Sequence, residues 1–335
     1  MKVSELRKHA AISAVAVFVG AGVAAAQEKA APTSSTPEQM VEAINGVFGK
    51  HPGFRAVHAK GVVLEGVFTP NPAAASVSKA VHLQKTPVPV TIRFSDFAGV
   101  PTIPDTDGMA RPHGLAIKFH LPGGGETDIV AHSFNGFPVA TTDEFRALLL
   151  ALAASGPDAP KPTPLDAFLG THPIAKTFLT TPKPLPVSYA TLPYYGVNSF
   201  KFTNAKGDVA YVRYQFLPAG GTQIMPADQA AKADADYLGK EIRDRVTHEP
   251  VKLEMVAQIA KSGDKIEDPS IAWPDSRRTV DLGTIEITKA AADSAAAEKS
   301  LLFLPGAVTA GIDAADPMID ARSAAYPLDF SRRNP

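Results

Sequence analysis

The stretch FRAVHAKGVV, residues 54–63, places His58 between Arg55 and Lys60 at the start of an apolar run. Successive side chains point to opposite faces of a β-strand. A strand here would therefore put Arg55 and Val57 on one face and His58 on the other. A histidine on a strand is more often a structural residue than a catalytic one. The stretch is informative only together with the segments that follow it along the chain.

Alternation of apolar and polar side chains continues beyond this stretch. It is clearest in VAYVRYQF (209–216) and KLEMVAQIA (252–260), and PVTIRFSDF (89–97) and HGLAIKFHL (113–121) are further strand candidates. A period of two residues is typical of half-buried strands in an antiparallel sheet. The sequence therefore predicts an antiparallel sheet.

Two segments have helical character. Residues 141–154, TTDEFRALLLALAA, open with Thr141 and Glu144 at the spacing of a capping box. Residues 226–246 begin with a proline and continue with strong helix formers, which predicts one long helix. Between these segments, the proline-rich residues 155–193 predict a long irregular crossing over the surface.

The first 26 residues are typical of a secretory signal peptide. A basic start is followed by an apolar run over residues 10–23 and by three alanines that end at Ala26, which are the features of such a peptide and its cleavage site. We expect cleavage after Ala26 and a periplasmic protein. An uncleaved membrane anchor is the alternative, although the apolar run is shorter than the roughly 20 residues that a span requires.

The remaining chain predicts a short tether and one domain. Residues 27–40 are polar and contain prolines, which indicates a flexible N-terminal tether. Residues 41–335 combine strands and helices without an internal repeat or a second linker, which predicts a single α+β domain. A domain of this size can bury a sizeable core.

Composition excludes several kinds of chemistry. The chain has no cysteine, so disulfides, thiolate catalysis and cysteine-ligated metal sites are excluded. Its 33 Lys and Arg residues balance its 34 Asp and Glu residues. This balance favours neither nucleic acid nor a membrane surface as a partner.

Arg322 and Tyr326 lie four residues apart near the C-terminus, and a helix would place them on one face. A guanidinium beside a phenol favours the phenolate, because opposite charge stabilises the charged form. Arg332 and Arg333 follow a few residues later. By itself such a pair is usually a surface contact, so it also needs support from the rest of the chain.

Taken in order, these segments resemble haem catalases. The run from Arg55 to Gly61 is similar to that family's distal-histidine segment, and the run from Arg322 to Pro327 is similar to its RxxxYP segment. Further segments match in the same order along the chain: 90–95, 111–119, 128–130, 273–274 and 305–306. The resemblance extends from about residue 50 to the last residues, and it is closest to the small catalase-related peroxidases of the bacterial periplasm.

The resemblance implies a fold and an activity. The fold would be a catalase-like closed antiparallel β-barrel with surrounding helices, without the extra C-terminal structure of full catalases. The activity would be that of a haem b peroxidase, in which hydrogen peroxide or an organic hydroperoxide is reduced at iron by a small-molecule electron donor. The protein would be a monomer or a small homo-oligomer, without a nucleic-acid partner or stable membrane insertion.

The resemblance also implies roles for individual residues. Tyr326 would be the iron ligand, and Arg322 would keep its phenol ionised. His58 would be the distal acid–base group, oriented by Ser95. Four more residues would hold the haem, through its propionates or by packing on its distal face: Arg55, Arg93, Arg333 and Phe145.

One position departs from the family pattern. The family has an asparagine four residues after the aspartate that matches Asp128, and this chain has His132 there. Asn135 could substitute only if the loop shifted. Dismutation requires a second peroxide to be held and oxidised in the distal pocket. We therefore count His132 among the catalytic residues and expect peroxidase activity with weak or absent catalase activity.

Four alternatives stay open at this point. They are a true small catalase, a hydroperoxide-rearranging enzyme similar to the allene oxide synthases that share this fold, a non-enzymatic haem carrier or sensor, and a haem-free scaffold. A carrier would not need His58 together with Ser95. A scaffold would not need Arg322, Tyr326 and Arg333 in their places.

Overall fold

The structure, a computed structural model, describes residues 35–334. Its strands are β1 (Gly61–Pro70), β2 (Val88–Ser95), β3 (Gly114–His120), β4 (Glu126–His132), β5 (Tyr194–Tyr195), β6 (Phe200–Thr203), β7 (Val209–Pro218), β8 (Val251–Ile259), β9 (Thr279–Ala290) and β10 (Ile312–Ala314). Its α-helices are α1 (Pro37–Phe48), α2 (Thr142–Ala153), α3 (Pro164–Thr171), α4 (Pro173–Thr180), α5 (Ala227–Ala230), α6 (Tyr237–His248), α7 (Ser294–Ser300) and α8 (Met318–Arg333). None of these helices is long and apolar enough to cross a membrane.

Eight of the strands close into an antiparallel barrel. Their order is β1-β2-β3-β4-β5-β7-β8-β9, and β9 pairs with β1 to complete the ring. The short strands β6 and β10 extend the sheet from β7. Closure leaves no free edge around the ring. The predicted closed antiparallel barrel with surrounding helices is confirmed.

The barrel interior is packed with apolar side chains, and the period-two pattern of β2 shows how the site is separated from it. Ile92 and Phe94 are fully buried members of the apolar core. Arg93 and Ser95 alternate with them and line a cleft outside the barrel. Full burial of a large apolar side chain contributes roughly 1.5–3 kcal/mol, so the core fixes β2 and thereby the two polar residues on its outer face.

The predicted tether is too long. Helix α1 begins at Pro37, and Thr36 caps it in a capping box with Gln39. The backbone N–H of Ser35 donates to Asp143 Oδ1 over 2.8 Å, which ties the start of α1 to α2. Residues 37–40 are therefore helical. The predicted signal peptide and residues 27–34 of the tether lie outside the described residues.

The predicted irregular crossing at 155–193 contains the two short helices α3 and α4. Pro164 and Pro173 are their first residues. Proline suits that position because the first turn of a helix leaves its N–H groups without intrahelical partners. The prolines that indicated an irregular chain are in part helix-start signals.

The single helix predicted over 226–246 is also wrong, because the chain leaves the helix between α5 and α6. Lys60 Nζ donates to the carbonyl of Ala235 within that break, over 2.8 Å. Asp105 Oδ2 accepts from the N–H of Leu238 over 2.7 Å, at the start of α6. These long-range contacts outweigh the helix propensity of the segment. The helix predicted at 141–154 is confirmed as α2, with its capping box.

Candidate active site

A cleft between the barrel wall and α8 contains the residues that the sequence singles out. Two adjoining cavities form it, with about 790 and 1150 Å³ of empty space, part of it open to solvent. His58 and Tyr326 line both cavities. The first cavity is also lined by Arg55, Arg93, Ser95 and Arg333, and the second by His132, Phe145 and Arg322. The structure thus brings all nine predicted site residues to one cleft.

Tyr326 and Arg322 form a compact unit on α8. Arg322 donates to the phenolic oxygen of Tyr326 twice, from Nε over 2.9 Å and from Nη2 over 2.7 Å. Its third nitrogen, Nη1, donates to Asn198 Oδ1 over 2.6 Å, and Asn198 donates in turn to Asp316 Oδ2 over 2.7 Å. The guanidinium is therefore fixed, and two charge-assisted donors meet at one phenolic oxygen.

His58 does not lie on a strand, contrary to the sequence-based expectation. It precedes β1 and has a φ of 58°, in the left-handed region that costs an L-residue roughly 1–2 kcal/mol. Two hydrogen bonds hold this conformation. The N–H of His58 donates to the carbonyl of Phe97 over 2.8 Å, and its carbonyl accepts from Arg93 Nη2 over 2.8 Å. The turn directs the His58 ring into the cleft.

The hydrogen bonds of the His58 ring determine its tautomer. Nδ1 lies 2.9 Å from the backbone carbonyl of Asp96 and 3.1 Å from Ser95 Oγ. A carbonyl oxygen only accepts, so Nδ1 carries the proton and Nε2 is left with its lone pair. Burial, with the nearby charges of Arg93 and other groups, lowers the pKa of His58 to about 3. The ring is therefore neutral near pH 7, with Nε2 available as a proton acceptor.

Gly114 on β3 allows the His58 ring to approach the barrel wall. A Cβ atom on this glycine would lie 2.7 Å from His58 Nδ1 and 2.6 Å from Ser95 Oγ. Real Cβ atoms do not come so close to other heavy atoms. Any side chain at position 114 would displace the ring or break its contact with Ser95.

Three arginines form the polar end of the first cavity, around Glu298 of α7. Arg55 Nη1 pairs with Glu298 Oε2, and Arg93 Nε lies 2.9 Å from Glu298 Oε1. Arg333 donates to the backbone carbonyls of Glu298 and Leu301 over 2.9 and 2.6 Å. Burial alone would raise the pKa of Glu298, but Arg93 and Arg55 outweigh it and lower that pKa. Two carboxylates, Glu298 and the cavity-lining Asp329, thus lie among three guanidinium groups, which leaves a net positive charge at this end.

His132 ends β4 and lines the second cavity. Neither ring nitrogen has a hydrogen-bond partner, and both nitrogens are buried. Burial, followed by the charges of Arg322 and Lys183, lowers the pKa of His132 to about 3. The structure therefore presents a second neutral imidazole beside His58. Asn135, the possible substitute for the family's amide, lines neither cavity.

Aromatic side chains surround the second cavity. Phe137 packs on Phe145 with ring centroids 4.9 Å apart, and Phe178 packs edge-on to His132 at 6.4 Å. All four residues line the cavity. Phe145 thus lines the same cavity as His58, and its packing on a haem stays a prediction. Phe137 and Phe178 are additions that no motif indicated.

Sequence reasoning missed several residues that support the site. Asn198 and Glu298 bind the predicted arginines, and Asp96 binds the ring of His58 through its carbonyl. Each comes from a segment distant in sequence from its partner. Only Asp96 had a detectable signal, because it directly follows the Ser95 motif.

Comparisons with known proteins agree with this geometry. The family model described as "Catalase" matches residues 37–333. A protein of Mycolicibacterium paratuberculosis named "Catalase-related peroxidase" is 36% identical over 302 residues, which cover 89% of this chain and 95% of the relative. A protein of Synechococcus elongatus with the same name is 33% identical over 309 residues, which cover 90% of each chain.

Two solved structures share the fold. A crystal structure of a fungal catalase matches with a TM-score of 0.75 at 20% identity, over 85% of this chain and 60% of that one. Catalase A from Saccharomyces cerevisiae matches with a TM-score of 0.75 at 19% identity, over 85% and 62%. The chain therefore spans about three fifths of each of these catalases, and its fold matches theirs over most of its own length.

Proposed function

The chain belongs to the catalase family, and on that premise we propose that it is a haem-dependent peroxidase that reduces hydrogen peroxide or an organic hydroperoxide with a small-molecule electron donor. As a family member it is an oxidoreductase that acts on peroxide. Relatives named catalase-related peroxidase match nearly the whole chain. The observation that carries the proposal is the single cleft lined by both Tyr326 and His58.

The residues of the cleft fit a haem. The lining of the cleft is largely apolar, the phenolic oxygen of Tyr326 would serve as the iron ligand, and the arginines at one end would pair with the propionates. Within that cluster, the buried Nε atom of Arg333 has no hydrogen-bond partner. Thioether attachment needs cysteine, which the chain lacks, so the b type is the form proposed. When bound, haem would supply the iron at which the peroxide is reduced.

The protein's own groups would manage the protons and the charge. His58 Nε2 would accept a proton from the peroxide and return it to the leaving oxygen as the O–O bond breaks. The positively charged guanidinium of Arg322 would lie beside the phenolic oxygen of Tyr326 and so stabilise that oxygen as an anionic ligand. Overall, the peroxide takes up two electrons and two protons. An organic hydroperoxide yields an alcohol and one water, and hydrogen peroxide yields two waters. The donor supplies both electrons.

His132 supports peroxidase activity over dismutation. The family's amide at this position is replaced by a neutral imidazole with no partner on either nitrogen. One ring nitrogen can donate and the other can accept, so His132 is available to a bound hydroxyl or peroxide group. The carrier alternative is disfavoured, because a haem carrier has no use for the free Nε2 of His58.

We also propose a cellular location and an oligomeric state for the protein. The chain would be exported to the periplasm with its signal peptide removed after Ala26, and would act as a monomer or a small homo-oligomer. N-terminal sequencing of the protein recovered from a periplasmic extract tests the first part, and a start at Gln27 is the expected result. A start at Met1 would favour the uncleaved anchor.

The central experiment adds hydrogen peroxide to the haem-loaded protein with and without a phenolic donor. Oxidised donor and released oxygen are measured in the same sample. We expect two donor radicals for each peroxide consumed and little oxygen. Rapid oxygen release without a donor would instead identify a true catalase, and no consumption of peroxide would support the carrier or the scaffold.

A further inference from the structure

A buried polar cluster lies behind His58 on the side away from the cleft. Asp96 and His113 are 0% and 1% exposed, and Tyr189 is 2% exposed. Asp96 Oδ1 accepts from Tyr189 over 2.9 Å and from His113 Nδ1 over 3.0 Å. None of these three side chains lines either cavity of the cleft. The cluster is therefore separate from the surfaces that would contact haem or peroxide.

The hydrogen bonds of the cluster have fixed directions. Tyr189 and His113 both donate to the same oxygen, which requires an acceptor there and suits an ionised carboxylate. Burial on its own would raise the pKa of Asp96, but the bond from His113 and the other donors outweigh burial and lower it. Lys60 Nζ lies 4.0 Å from Asp96 Oδ2, but it binds Asp105 and Asp236 more closely, over 2.5 and 2.8 Å. Oδ2 has no hydrogen-bond partner, so Asp96 is a charged group held through Oδ1.

The ring of Tyr189 is itself held firmly. It stacks on Phe94 with ring centroids 5.4 Å apart and an interplanar angle of 2°. The carbonyl of Tyr189 accepts from the phenol of Tyr194 over 2.8 Å. Phe94 belongs to the barrel core, so the donor that Tyr189 presents to Asp96 has little freedom.

Asp96 joins this cluster to the catalytic histidine through its own backbone. Its carbonyl accepts from His58 Nδ1 over 2.9 Å, and its N–H donates to the carbonyl of Lys60 over 3.0 Å. The neighbouring residue Phe97 accepts from the N–H of His58. The carboxylate of Asp96 is therefore bound by His113 and Tyr189, and its backbone carbonyl by His58. Because both groups belong to one residue, holding the carboxylate also holds the direction of the carbonyl.

We propose that Asp96 is a positioning residue whose carboxylate, anchored by His113 and Tyr189, aims its backbone carbonyl at His58 Nδ1. This bond keeps the proton on Nδ1 and leaves Nε2 free toward the cleft. The inference rests on the proposed function only in that His58 is the acid–base group there. A buried carboxylate requires such partners to stay charged, so His113 and Tyr189 keep Asp96 in its anchoring form.

The test combines the tautomer of His58 with turnover. ¹⁵N shifts of the His58 ring are measured in the full chain loaded with diamagnetic zinc protoporphyrin, and kcat and KM for hydrogen peroxide are measured in the iron-loaded protein. Asp96→Ala removes the anchor, and Asp96→Asn keeps an acceptor of the same shape. Tyr189→Phe removes one hydrogen-bond donor to Asp96 without creating a large cavity. It replaces Asp96→Ala as the test variant if Asp96→Ala does not fold. Tyr214→Phe is the matched control, because Tyr214 is also buried in the core but does not touch Asp96.

We expect Asp96→Ala to mix the two tautomers of His58 and to lower kcat about tenfold or more at unchanged KM, within the range of a displaced acid–base group. Tyr189→Phe should act in the same direction with a smaller effect, Asp96→Asn should restore most of the activity, and Tyr214→Phe should change neither readout. A single Nδ1–H tautomer with unchanged kcat in both Asp96→Ala and Tyr189→Phe would overturn the proposal. That outcome would assign the cluster a structural role, even if thermal stability fell.

The proposed peroxidase activity and the positioning role of Asp96 can be refuted separately. If the iron-loaded wild type does not consume peroxide, the proposed function fails, and the ¹⁵N shifts still decide whether Asp96 positions His58. If the wild type turns over but His58 keeps its tautomer in the variants, only the positioning role of Asp96 fails.

Discussion

The two sides of the cleft are built in opposite ways. On the helix side, Tyr326 and Arg322 lie one turn apart on α8, and Asn198 completes the bonds of the guanidinium. On the barrel side, His58 comes from the turn before β1 and His132 from the end of β4. The helix side is satisfied within itself, whereas both nitrogens of His132 lack partners.

This difference separates binding from selectivity. A unit in which every guanidinium nitrogen has a partner can hold a ligand atom in one fixed place without rearrangement. Buried nitrogens without partners carry a free-energy cost that a ligand hydroxyl or peroxide can relieve. We therefore expect substitutions of Tyr326 or Arg322 to remove the cofactor, and substitutions of His58 or His132 to change the reaction while the cofactor stays.

The largest expected effect is that of Tyr326→Phe on the helix side. The substitution removes the one oxygen that Arg322 holds toward the cleft, so the bound haem should lose its phenolate spectrum and dissociate readily. Absorption spectra and haem transfer to a scavenger protein measure this. The exposed Tyr211→Phe is the control. An unchanged spectrum in Tyr326→Phe would mean that a different residue ligates the iron.

On the barrel side, His58→Ala should keep haem and lower the rate of the peroxide reaction by roughly 100-fold or more, because it removes the positioned proton acceptor. Rapid-mixing absorbance measurements with hydrogen peroxide test this. His248→Ala is a suitable control, since that side chain is 72% exposed at the end of α6. Undiminished turnover in His58→Ala would contradict the mechanism, because His58 would then not control the reaction.

The pH dependence of stability tests whether His132 is buried as a neutral ring. Its pKa is about 3 in the folded protein and about 6.5 in the unfolded chain. Between these values the unfolded chain binds more protons, so the free energy of unfolding falls as the pH falls below 6.5. From pH 7 to pH 5 the wild type should lose about 1–2 kcal/mol more than His132→Asn. Urea unfolding at both pH values measures the difference, and parallel curves would contradict it.

The smallest expected effect is that of His132→Asn on the outcome of the reaction. The substitution provides the amide that the family pattern has at this position, so a larger share of the peroxide should be dismuted. Oxygen release relative to donor oxidation should rise a few-fold, with haem content unchanged. An oxygen electrode and a donor assay on the same sample measure the ratio. A falling ratio would mean that His132 itself supports dismutation.

The same contrast explains what the sequence could and could not predict. Arg322 and Tyr326 are four residues apart, so a helical period alone places them together. The strands β2, β7 and β8 follow from alternation because one face of each is buried in the barrel. Local patterns of this kind predict structure because the residues that define them lie within a few positions of one another.

The barrel side depends on contacts that no local pattern encodes. The left-handed turn at His58 is held by Phe97 and Arg93, which lie on a distant segment. Glu298 and Asp96 reach the site from elements far away in sequence, and the break at 231–236 is bound by Lys60 and Asp105. In each case tertiary hydrogen bonds outweigh the local preference of the chain.

The most direct test of the central claim is an absorption titration of the purified protein with ferric haem, with Tyr326→Phe measured in parallel. We expect a saturable Soret band and the visible bands of phenolate-ligated ferric haem in the wild type, and the loss of those visible bands in the variant. The absence of a saturable Soret band in the wild type, or identical spectra for the two proteins, would contradict it.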